Sequence, residues 1–377
     1  MARNWSNRAR SEYSRERLPE HYCRQCSALR YTDEDVCPDC GRQQPKTGWT
    51  PLTETFDPFL GRVLNDRYLC NKIEGQGASS KIYRADSMSV PKRFAIKMVE
   101  LTDSDGVDDE VQTRLEREVR AVGMLRNPHI VRVYEMLEFD QRWIGLVMDH
   151  IDGQTVESIV EKQGPFSVVR ALKLIRQIAN GLCEAHGSEM IHRDIKPANL
   201  MVERLPDGDD FAYILDFGVV RLEDEARMTE GFLGTPLFAS PEQALSGDID
   251  ARSDIYSLGA TLFYMLTGRP PFDSDDAHEV LEAHINQSTP RLTDVDPGLD
   301  VPDDLEDLLD RMLSKAPDDR PEDLMEFIRA VEPLVERLEA EQQVEESAPE
   351  DDSSGELGSG NTEIVDAITA VEGANYY

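Results

Sequence analysis

Hydrophobic residues change their spacing along the chain, and this change predicts two structural regions. Between residues 68 and 151 they form short runs typical of strands, in the segments YLCNKIEG, SKIYRAD, RFAIKMVEL, IVRVYEMLEF and WIGLVMDHI. After residue 155 they recur at helical intervals, most clearly in VVRALKLIRQIANGLCEAH and IYSLGATLFYMLTG. We therefore expect an α+β fold, in which a small sheet-rich lobe precedes a larger helical lobe.

One helical pattern interrupts the predicted strands. In VQTRLEREVRAVGML the apolar residues Val111, Leu115, Val119 and Val122 recur at helical spacing and share one face. Glu118 lies near the edge of that face.

Four of the six cysteines form two close pairs, CRQC and CPDC, with ten residues between them. Two such pairs supply the four thiolates of a closed tetrahedral Zn²⁺ site, and Gly41 fits the turn after the second pair. Disulfides are the alternative, but they persist mainly in oxidising compartments. A structural zinc ribbon is expected, with the ligands Cys23, Cys26, Cys37 and Cys40.

The net charge of −34 over 377 residues narrows the range of partners. A nucleic-acid backbone is held by clustered Lys and Arg, so a nucleic-acid partner is not expected. The longest apolar stretch, IYSLGATLFYML, is shorter than the roughly 18 residues that span a bilayer. The start MARNWSNRAR lacks the apolar core of a signal peptide. We expect a cytoplasmic chain without a membrane span.

Changes in composition divide the chain into five parts. Residues 1–20 are a polar tail, residues 21–44 form the predicted ribbon, and residues 45–59 read as an extended, proline-broken linker. A compact domain is expected over residues 60–335. Carboxylates, Ser and Gly dominate residues 336–377, which predicts an acidic disordered tail.

The segment IEGQGASSKIYRA is similar to a loop that cradles phosphate. Gly75 and Gly77 have the G-x-G spacing with Gln76 between them, and Ser80 stands at the third glycine position of G-x-G-x-x-G. The first two glycines allow close approach of the backbone to phosphate, while the third position tolerates a small side chain. Lys97 follows in the third strand-like run, from which its ammonium could reach phosphates under the loop.

Two further motifs lie in the helical region, IHRDIKPANLMV and YILDFGVV. Together with Gly75, Gly77 and Lys97, their order resembles the eukaryotic-like (bacterial-type) serine/threonine protein kinases. The resemblance covers residues 60–335 and implies a bilobal protein kinase fold, with a small β-rich N-lobe and a larger helical C-lobe, preceded by the ribbon. The motif residues are His192, Arg193, Asp194, Asn199, Asp216, Phe217 and Gly218.

The resemblance implies an ATP site at the junction of the lobes. Lys97 would hold the α- and β-phosphates and pair with Glu118, while Asp216 and Asn199 would bind Mg²⁺ or Mn²⁺. Met148 would be the gatekeeper, followed by hinge backbone that bonds the adenine edge. The implied nucleotide contacts are Ile73, Gly75, Gln76, Gly77, Ser80, Ile82, Ala95, Lys97, Met148, Asp149, Ile151 and Met201.

The resemblance also implies the reaction. Asp194 would orient the substrate hydroxyl and accept its proton, and Lys196 would stabilise the transferred phosphate. DIKPAN with this lysine is the serine/threonine form, so protein substrates with Ser or Thr hydroxyls are expected. A pseudokinase scaffold is the alternative, against which the complete set of charged groups argues.

Two scaffold interactions and one hinge side chain complete the expectations for the domain. Glu242 is expected to pair with Arg320, and Asp254 to anchor the backbone of the catalytic loop. His150 in the hinge is expected to point to solvent, because hinge recognition is mostly by backbone.

Arg193 stands directly before the catalytic Asp194, where a guanidinium can bind a phosphate on the activation segment. Between the DFG and GTP motifs the only side-chain hydroxyl belongs to Thr229, so this residue is the expected site of autophosphorylation. The acidic residues of RLEDEA are the alternative partner for Arg193. We expect regulation through Thr229 and Arg193.

The ribbon is expected to act separately from the kinase domain. Its arginines are accompanied by acidic residues, which favours a protein partner or a regulatory role over the alternative of a nucleic-acid-binding ribbon. Removal of zinc is expected to unfold residues 21–44 and to spare the kinase domain.

Overall fold

The computed structural model describes residues 18–31, 34–77, 80–100, 117, 119–139, 142–217, 236–245 and 247–347. Within this part of the chain, the α+β expectation is confirmed. An N-lobe (residues 57–151) contains an antiparallel sheet, and a C-lobe (residues 152–347) is mostly helical. The strands are β1 (His21–Tyr22), β2 (Leu29–Arg30), β3 (Thr50–Pro51), β4 (Val63–Leu64), β5 (Tyr68–Gln76), β6 (Ser80–Ser87), β7 (Arg93–Glu100), β8 (Val133–Phe139), β9 (Trp143–Asp149), β10 (Gln154–Thr155), β11 (Leu200–Arg204) and β12 (Asp210–Ile214).

The N-lobe sheet has the strand order β4-β5-β6-β7-β9-β8, and every neighbouring pair is antiparallel. Side chains alternate between its two faces, as the period of a strand requires. On β7, Ile96 and Met98 pack into an outer cluster with Tyr83, while Ala95 packs into an inner cluster with Met148. The inner face is directed toward the C-lobe, so it forms the roof of the cleft between the lobes.

The C-lobe is built around two long apolar helices. The helix Val168–Gly187 buries ten residues at three- and four-residue spacing, and the helix Ala251–Thr267 is buried on nearly all sides. Gly268 ends the latter with a φ of 73°, a conformation that favours glycine. The helices are α1 (Val156–Gln163), α2 (Val168–Gly187), α3 (Pro241–Ala244), α4 (Ala251–Thr267), α5 (Ala277–Asn286), α6 (Leu292–Val295), α7 (Asp303–Met312) and α8 (Leu324–Ser347), with single 3₁₀ turns at Leu52–Glu54, Pro197–Asn199 and Pro317–Asp319.

The catalytic motifs lie in a small sheet at the top of the C-lobe. Strands β10, β11 and β12 are antiparallel and follow the order β10-β11-β12. The segment 191–199 leads into β11, and Asp216 lies two residues after the end of β12. The two motifs are therefore brought to one edge, below the inner face of the N-lobe sheet.

The ribbon sheet and the predicted linker differ from expectation. Strand β3 lies outside residues 21–44 but pairs with β1, and Trp49 packs among the cysteines. Asp57 and Phe59 contact the N-lobe, since Phe59 is buried in the outer cluster. The segment has no periodic hydrophobic pattern, because isolated residues such as Trp49 and Phe59, and not a continuous apolar face, pack it against its neighbours. Residues 45–59 are thus a packed connection and not a free spacer.

The prediction of a disordered tail from residue 336 is wrong for its first part. Helix α8 continues to Ser347, although Pro333 lies within it. Leu334 and Val335 are buried against the C-lobe core, and Arg337 bonds Asp304 at 2.9 Å. Glu, Gln and Ala are good helix formers, so a helix already packed against α2 extends into the acidic sequence. Residues 348–377 lie outside the described residues.

Across the described residues, no helix combines the length and apolar character needed to cross a bilayer. The scaffold pair predicted for the C-lobe is confirmed. Arg320 donates to both carboxylate oxygens of Glu242, at 2.7 and 2.8 Å.

Candidate active site and metal centre

The catalytic loop places three of the predicted side chains together. Asn199 Nδ2 donates to Asp194 Oδ2 at 2.7 Å and to the Asp194 carbonyl at 2.8 Å. Lys196 Nζ lies 2.8 Å from Asp194 Oδ1. Asp194 and Lys196 are both about 40% exposed, at 43% and 40%, so they face the open cleft. A carboxylate that can accept a proton thus lies beside an ammonium that can neutralise phosphate.

Asp254 fixes the backbone of this loop, as the sequence predicts. Its fully buried carboxylate accepts from the backbone N–H of His192 and of Arg193, both at 2.8 Å, and lies 2.8 Å from His186 Nε2. Arg193 has a φ of 68°, which is uncommon for a residue with a side chain. Two charge-assisted hydrogen bonds hold this strained backbone, as is frequent at functional sites.

Lys97 reaches across the cleft to the second motif. Its ammonium lies 2.9 Å from Asp216 Oδ2, and its side chain is only 6% exposed. Asp216 has a φ of 55° and follows Leu215, whose N–H donates to the Asn199 carbonyl at 2.9 Å. Glu118, the expected partner of Lys97, lies outside the described residues.

The residues present fit a Mg²⁺ ion bound with a phosphate. Asp216 and Asn199 bring a carboxylate and an amide to adjacent positions, since the two segments are hydrogen-bonded at Leu215. Oxygen donors of this kind, completed by water and phosphate, are what Mg²⁺ requires. Lys97 supplies the nearby positive charge that phosphate oxygens require.

The predicted adenine contacts mostly share one apolar cluster. Ala95 and Met148 are buried in the inner cluster, and Ile82 and Ile151 pack against it. Met201 lies opposite Tyr213 in the β11–β12 pair, on the C-lobe side. Together with the hinge backbone at Asp149 and Ile151, these residues could line an apolar slot for a planar base.

Ile73 is not part of this slot. It packs on the opposite face of the sheet, against the outer cluster and against Leu29 and Leu69. Ile73 is paired opposite Tyr83, which lies on this outer face, and an irregularity in the β5–β6 pairing follows before Gly75, which is opposite Ile82. A bulge of this kind adds one residue to one strand and interrupts the alternation of its side chains. The assignment of Ile73 to the adenine site is therefore wrong.

Glu74, the residue within this irregularity, contacts the hinge. Its Oε2 lies 2.9 Å from Nε2 of His150, whose side chain is only 10% exposed. Burial would raise the pKa of Glu74, but the hydrogen bond to His150 and nearby positive charges lower it below its usual value. His150 thus joins the hinge to the glycine-bearing strand instead of pointing to solvent, a contact that the sequence analysis missed.

The glycine loop closes tightly around Ser80. The Gly77 N–H donates to the Ser80 carbonyl at 2.8 Å. A Cβ on Gly77 would lie 3.3 Å from the Ser80 hydroxyl, so a larger residue at position 77 would crowd the turn. Gln76 is exposed beside it. Residues 78 and 79 lie outside the described part of the loop.

The four ribbon cysteines converge to one point. Cys23 Sγ lies 3.8 Å from Cys40 Sγ, Cys26 Sγ lies 3.6 Å from Cys37 Sγ, and all four sulfur atoms are within 4.8 Å of one another. All four are free thiols, not disulfides. Four sulfurs at the Zn–S distance of about 2.3 Å around one ion would be about 3.8 Å apart. The residues therefore fit Zn²⁺.

An arginine stabilises one of these sulfurs as a thiolate. Arg30 Nε donates to Cys37 Sγ at 3.1 Å. Burial would raise the pKa of Cys37, but the hydrogen bond from Arg30 and neighbouring backbone N–H groups lower it to about 7. Thiolate is the form that binds a metal.

The regulatory prediction is only partly within the described residues. Arg193 Nε is buried and has no hydrogen-bond partner among the described residues, while the Arg193 carbonyl accepts from Gln243 Nε2 at 2.6 Å. Thr229 lies outside the described residues.

Comparison with known proteins agrees with this geometry. The family described as protein kinase domain matches residues 68–330. The chain therefore belongs to the protein kinase domain family. The matched region begins at β5 and leaves out the ribbon.

Two curated relatives are named serine/threonine-protein kinases. The chain is 31% identical over 244 residues to pkn3 of Myxococcus xanthus, covering 63% of this chain and 44% of that relative. It is 34% identical over 236 residues to PknE of Mycobacterium tuberculosis, covering 62% of this chain and 40% of that relative. The chain thus spans less than half the length of each.

The fold is also similar to a solved structure. The crystal structure of a double mutant of the Mycobacterium tuberculosis PknI kinase domain matches with a TM-score of 0.58 and 26% identity. The match covers 73% of this chain and 98% of that one.

Proposed function

We propose that this protein is an ATP-dependent serine/threonine protein kinase. The observation that carries the proposal is the convergence of Lys97, Asp194, Lys196, Asn199 and Asp216 at the cleft between the lobes. The resemblance of DIKPAN to the serine/threonine form and the names of the relatives support Ser and Thr as acceptors.

The chain's own residues would divide the work of phosphoryl transfer. When bound, ATP supplies the phosphoryl group, and Mg²⁺ neutralises negative charge on the phosphate oxygens. Asp194 would orient the acceptor hydroxyl and take up its proton at a carboxylate oxygen. Lys196 would balance negative charge near Asp194, and Lys97 would hold phosphate oxygens from the N-lobe side. The apolar roof formed by Ile82 and Ala95 would exclude water from the base.

The test compares two Asp→Asn changes in the full chain. Asp194→Asn removes the proton acceptor, so transfer of labelled phosphate to a Ser/Thr peptide should fall about 100- to 10,000-fold. Asp209→Asn, in the exposed β11–β12 turn, is the matched control and should keep normal transfer. Normal activity of Asp194→Asn would contradict the assigned role.

A pseudokinase scaffold would bind nucleotide without transferring phosphate. Two charged pairs that transfer requires are present, Lys97 with Asp216 at 2.9 Å and Lys196 with Asp194 at 2.8 Å, which favours the enzyme. Stoichiometric ATP binding together with absence of transfer by the wild-type protein would favour the scaffold instead.

We propose that the ribbon binds one structural Zn²⁺ through Cys23, Cys26, Cys37 and Cys40. The spacing of the four sulfur atoms supports this, and four protein ligands leave no open position for catalysis. Metal analysis of reduced protein should give one zinc per chain, and Cys37→Ser should lower that value strongly. Cys183→Ser is the control, since this cysteine packs against the C-lobe core.

We further propose that phosphorylation of Thr229 activates the enzyme through Arg193. The buried Arg193 Nε supports this, because the described residues leave it without a partner. A phosphate carries strong acceptor oxygens and could order the segment around it. Phosphatase-treated wild type should regain activity on incubation with ATP, whereas Thr229→Ala should stay at low activity. Equal activity of the two proteins after ATP would exclude this switch.

A further inference from the structure

The ribbon packs directly on the strand that leads into the glycine loop. Ala28 forms an antiparallel bridge with Lys72 of β5. Leu29 is buried, and it packs with Leu60 and Leu69 in a cluster shared by the ribbon and the N-lobe. The ribbon therefore covers the outer side of β5 and is not a separate module on a spacer.

Beside this apolar contact, one carboxylate of the ribbon binds an arginine of the N-lobe. Asp39 Oδ1 accepts from Arg84 Nη1 at 2.5 Å, and Asp39 Oδ2 accepts from Arg30 Nη2 at 2.5 Å. The side chains of Asp39 and Arg84 are only 12% and 13% exposed. An ion pair so little exposed to water is screened weakly by salt, and removal of one partner strongly destabilises the protein.

On the N-lobe side, Arg84 bonds the hairpin that carries the glycine loop. Arg84 lies on β6, and its Nε donates to Asn71 Oδ1 on β5 at 2.8 Å. Strands β5 and β6 are the two arms of this hairpin, and Gly75 and Gly77 lie at its end. The guanidinium of Arg84 thus holds both arms of the hairpin and the ribbon at once.

On the ribbon side, the metal ligands fix the position of Asp39. Asp39 lies in the turn between Cys37 and Cys40, which is closed by a hydrogen bond from Gly41 N–H to the Cys37 carbonyl at 2.8 Å. Arg30 joins Asp39 to Cys37 Sγ, since it donates to both. A metal ion with four thiolates keeps a net negative charge, which Arg30 partly balances. Loss of the ion would leave this turn without its main constraint.

We propose that zinc in the ribbon positions the glycine hairpin for nucleotide binding, through Asp39 and Arg84; this rests on the zinc site and on the ATP site proposed above. The ribbon's partner is then the chain's own N-lobe. With zinc bound, Asp39 neutralises Arg84 and the hairpin is held in one arrangement. Without zinc, Arg84 loses its partner and the hairpin loosens. Asp39 and Arg84 are positioning residues, which act through β5 and β6.

Coupling of this kind is reciprocal by thermodynamic necessity. If zinc strengthens nucleotide binding by a given factor, the nucleotide must strengthen zinc binding by the same factor. Typical couplings are about 5- to 150-fold, and we expect a value near the lower end because a single ion pair is its main carrier.

The experiment measures nucleotide binding in the full chain by calorimetry with a non-hydrolysable ATP analogue and Mg²⁺. Zinc removal from the wild type should weaken nucleotide binding about five- to tenfold. Arg84→Gln should retain one zinc per chain yet bind the nucleotide about as weakly as zinc-free wild type. Zinc removal from Arg84→Gln should then have little further effect, because the connection is already broken.

A second measurement follows zinc instead of the nucleotide. The analogue should slow the transfer of zinc from wild-type protein to a chromogenic chelator, and this protection should be absent in Arg84→Gln. Glu54→Gln is the matched control, since it removes the exposed ion pair between the ribbon and the 52–54 turn. It should behave as wild type in both measurements.

The outcomes separate this inference from the proposals on which it rests. Absence of zinc from the wild-type protein would overturn the metal site, and absence of nucleotide binding would overturn the ATP site. Zinc removal without effect on the nucleotide affinity of wild type would overturn the coupling alone. If zinc removal lowered the nucleotide affinity of Arg84→Gln by the same factor as that of wild type, the route through Asp39 and Arg84 would be overturned.

Discussion

Arg320 in the C-lobe and Arg84 in the N-lobe each place a guanidinium against a carboxylate, but their surroundings differ. Arg320 is fully buried, and besides Glu242 it bonds the carbonyls of Ser314, Arg252 and Lys315. All these partners belong to the C-lobe. Arg84 instead receives its carboxylate from Asp39, in a turn between two cysteines that precedes the region matched by the protein kinase family.

The difference concerns what each pair depends on. The Arg320–Glu242 pair forms whenever the C-lobe is folded, because every hydrogen-bond partner of Arg320 belongs to that lobe. The Arg84–Asp39 pair forms only when the ribbon is folded and docked. A similar chemical contact is therefore a fixed support in one lobe and a conditional one in the other. Loss of zinc is therefore expected to affect the N-lobe through Arg84 and to leave the Arg320–Glu242 pair intact.

The largest effect is expected from Arg320→Gln. The change removes the positive partner of the Glu242 carboxylate and one donor from each of three backbone carbonyls, so it should cost about 3–5 kcal/mol of unfolding free energy. Urea unfolding of the full chain measures this. Arg252→Gln is the matched control, because Arg252 bonds the exposed Asp250 and Asp318 and should cost less than about 1 kcal/mol. Equal losses would show that burial does not distinguish the two arginines.

A second polar group of the C-lobe core gives a pH dependence. His284 is fully buried, and its Nδ1 lies 2.9 Å from the Tyr256 hydroxyl. Burial, together with the positive charge of Lys315, lowers the pKa of His284 to about 4 from the ordinary value of 6.5. Because the folded protein resists protonation, this stability is fully present above pH 6.5 and is lost as the pH falls toward 4.

The loss should be about 3 kcal/mol between pH 7 and pH 4, from the value of 1.36 kcal/mol for one pKa unit. Urea unfolding of wild type and of His284→Gln across this range measures it. The variant has no titrating ring, so its stability should fall less steeply. Parallel curves for the two proteins would remove His284 as the cause.

Asp57 tests how the start of the N-lobe, where the connection from the ribbon ends, is held to the sheet. Its side chain is 5% exposed, and it accepts from Lys81 at 2.9 Å and from the backbone N–H of Leu60 at 2.8 Å. Asp57→Asn removes the charge and one acceptor, and it should cost about 2 kcal/mol of unfolding free energy. Asp66→Asn in an exposed turn of the same lobe is the control. Zinc content should stay unchanged in both, since neither residue touches the cysteines.

Residues that are close in the sequence could be predicted, because a motif states their geometry. Asp194 and Asn199 are five residues apart and lie in one hydrogen-bonded loop, as the family resemblance implies. The positions of the four cysteines could be predicted for the same reason, because each C-x-x-C motif brings two sulfur atoms together in one turn. The Glu242–Arg320 pair is distant in sequence, and only the resemblance predicted it.

Contacts between regions without a shared motif could not be predicted. Asp39 and Arg84 are 45 residues apart, and both belong to segments with ordinary charged surfaces. Ile73 is paired opposite Tyr83 and shares its outer face, a register that the hydrophobic pattern does not reveal. Glu74 and His150 lie in two strands far apart in the sequence, and no motif links them.

The smallest effect is expected from Glu54→Gln. This variant tests whether the burial of an ion pair, and not the distance between its charged atoms, determines how much it stabilises the fold. Arg24 and Glu54 are 2.8 Å apart, but their side chains are 63% and 52% exposed. The Asp39–Arg84 contact has side chains that are 12% and 13% exposed. Water and salt screen an exposed pair, so Glu54→Gln should change the unfolding free energy by less than about 0.5 kcal/mol.

The salt dependence of stability distinguishes the Arg24–Glu54 and Asp39–Arg84 ion pairs more clearly than one small free-energy difference does. Raising NaCl to about 1 M shortens the screening length to about 3 Å, which should abolish what remains of the Arg24–Glu54 contribution. The loss caused by Arg84→Gln should persist under the same conditions, because water and ions reach this pair poorly. A salt-sensitive Arg84 effect, or a Glu54→Gln loss as large as that of Arg84→Gln, would show that proximity alone determines how the ribbon is held.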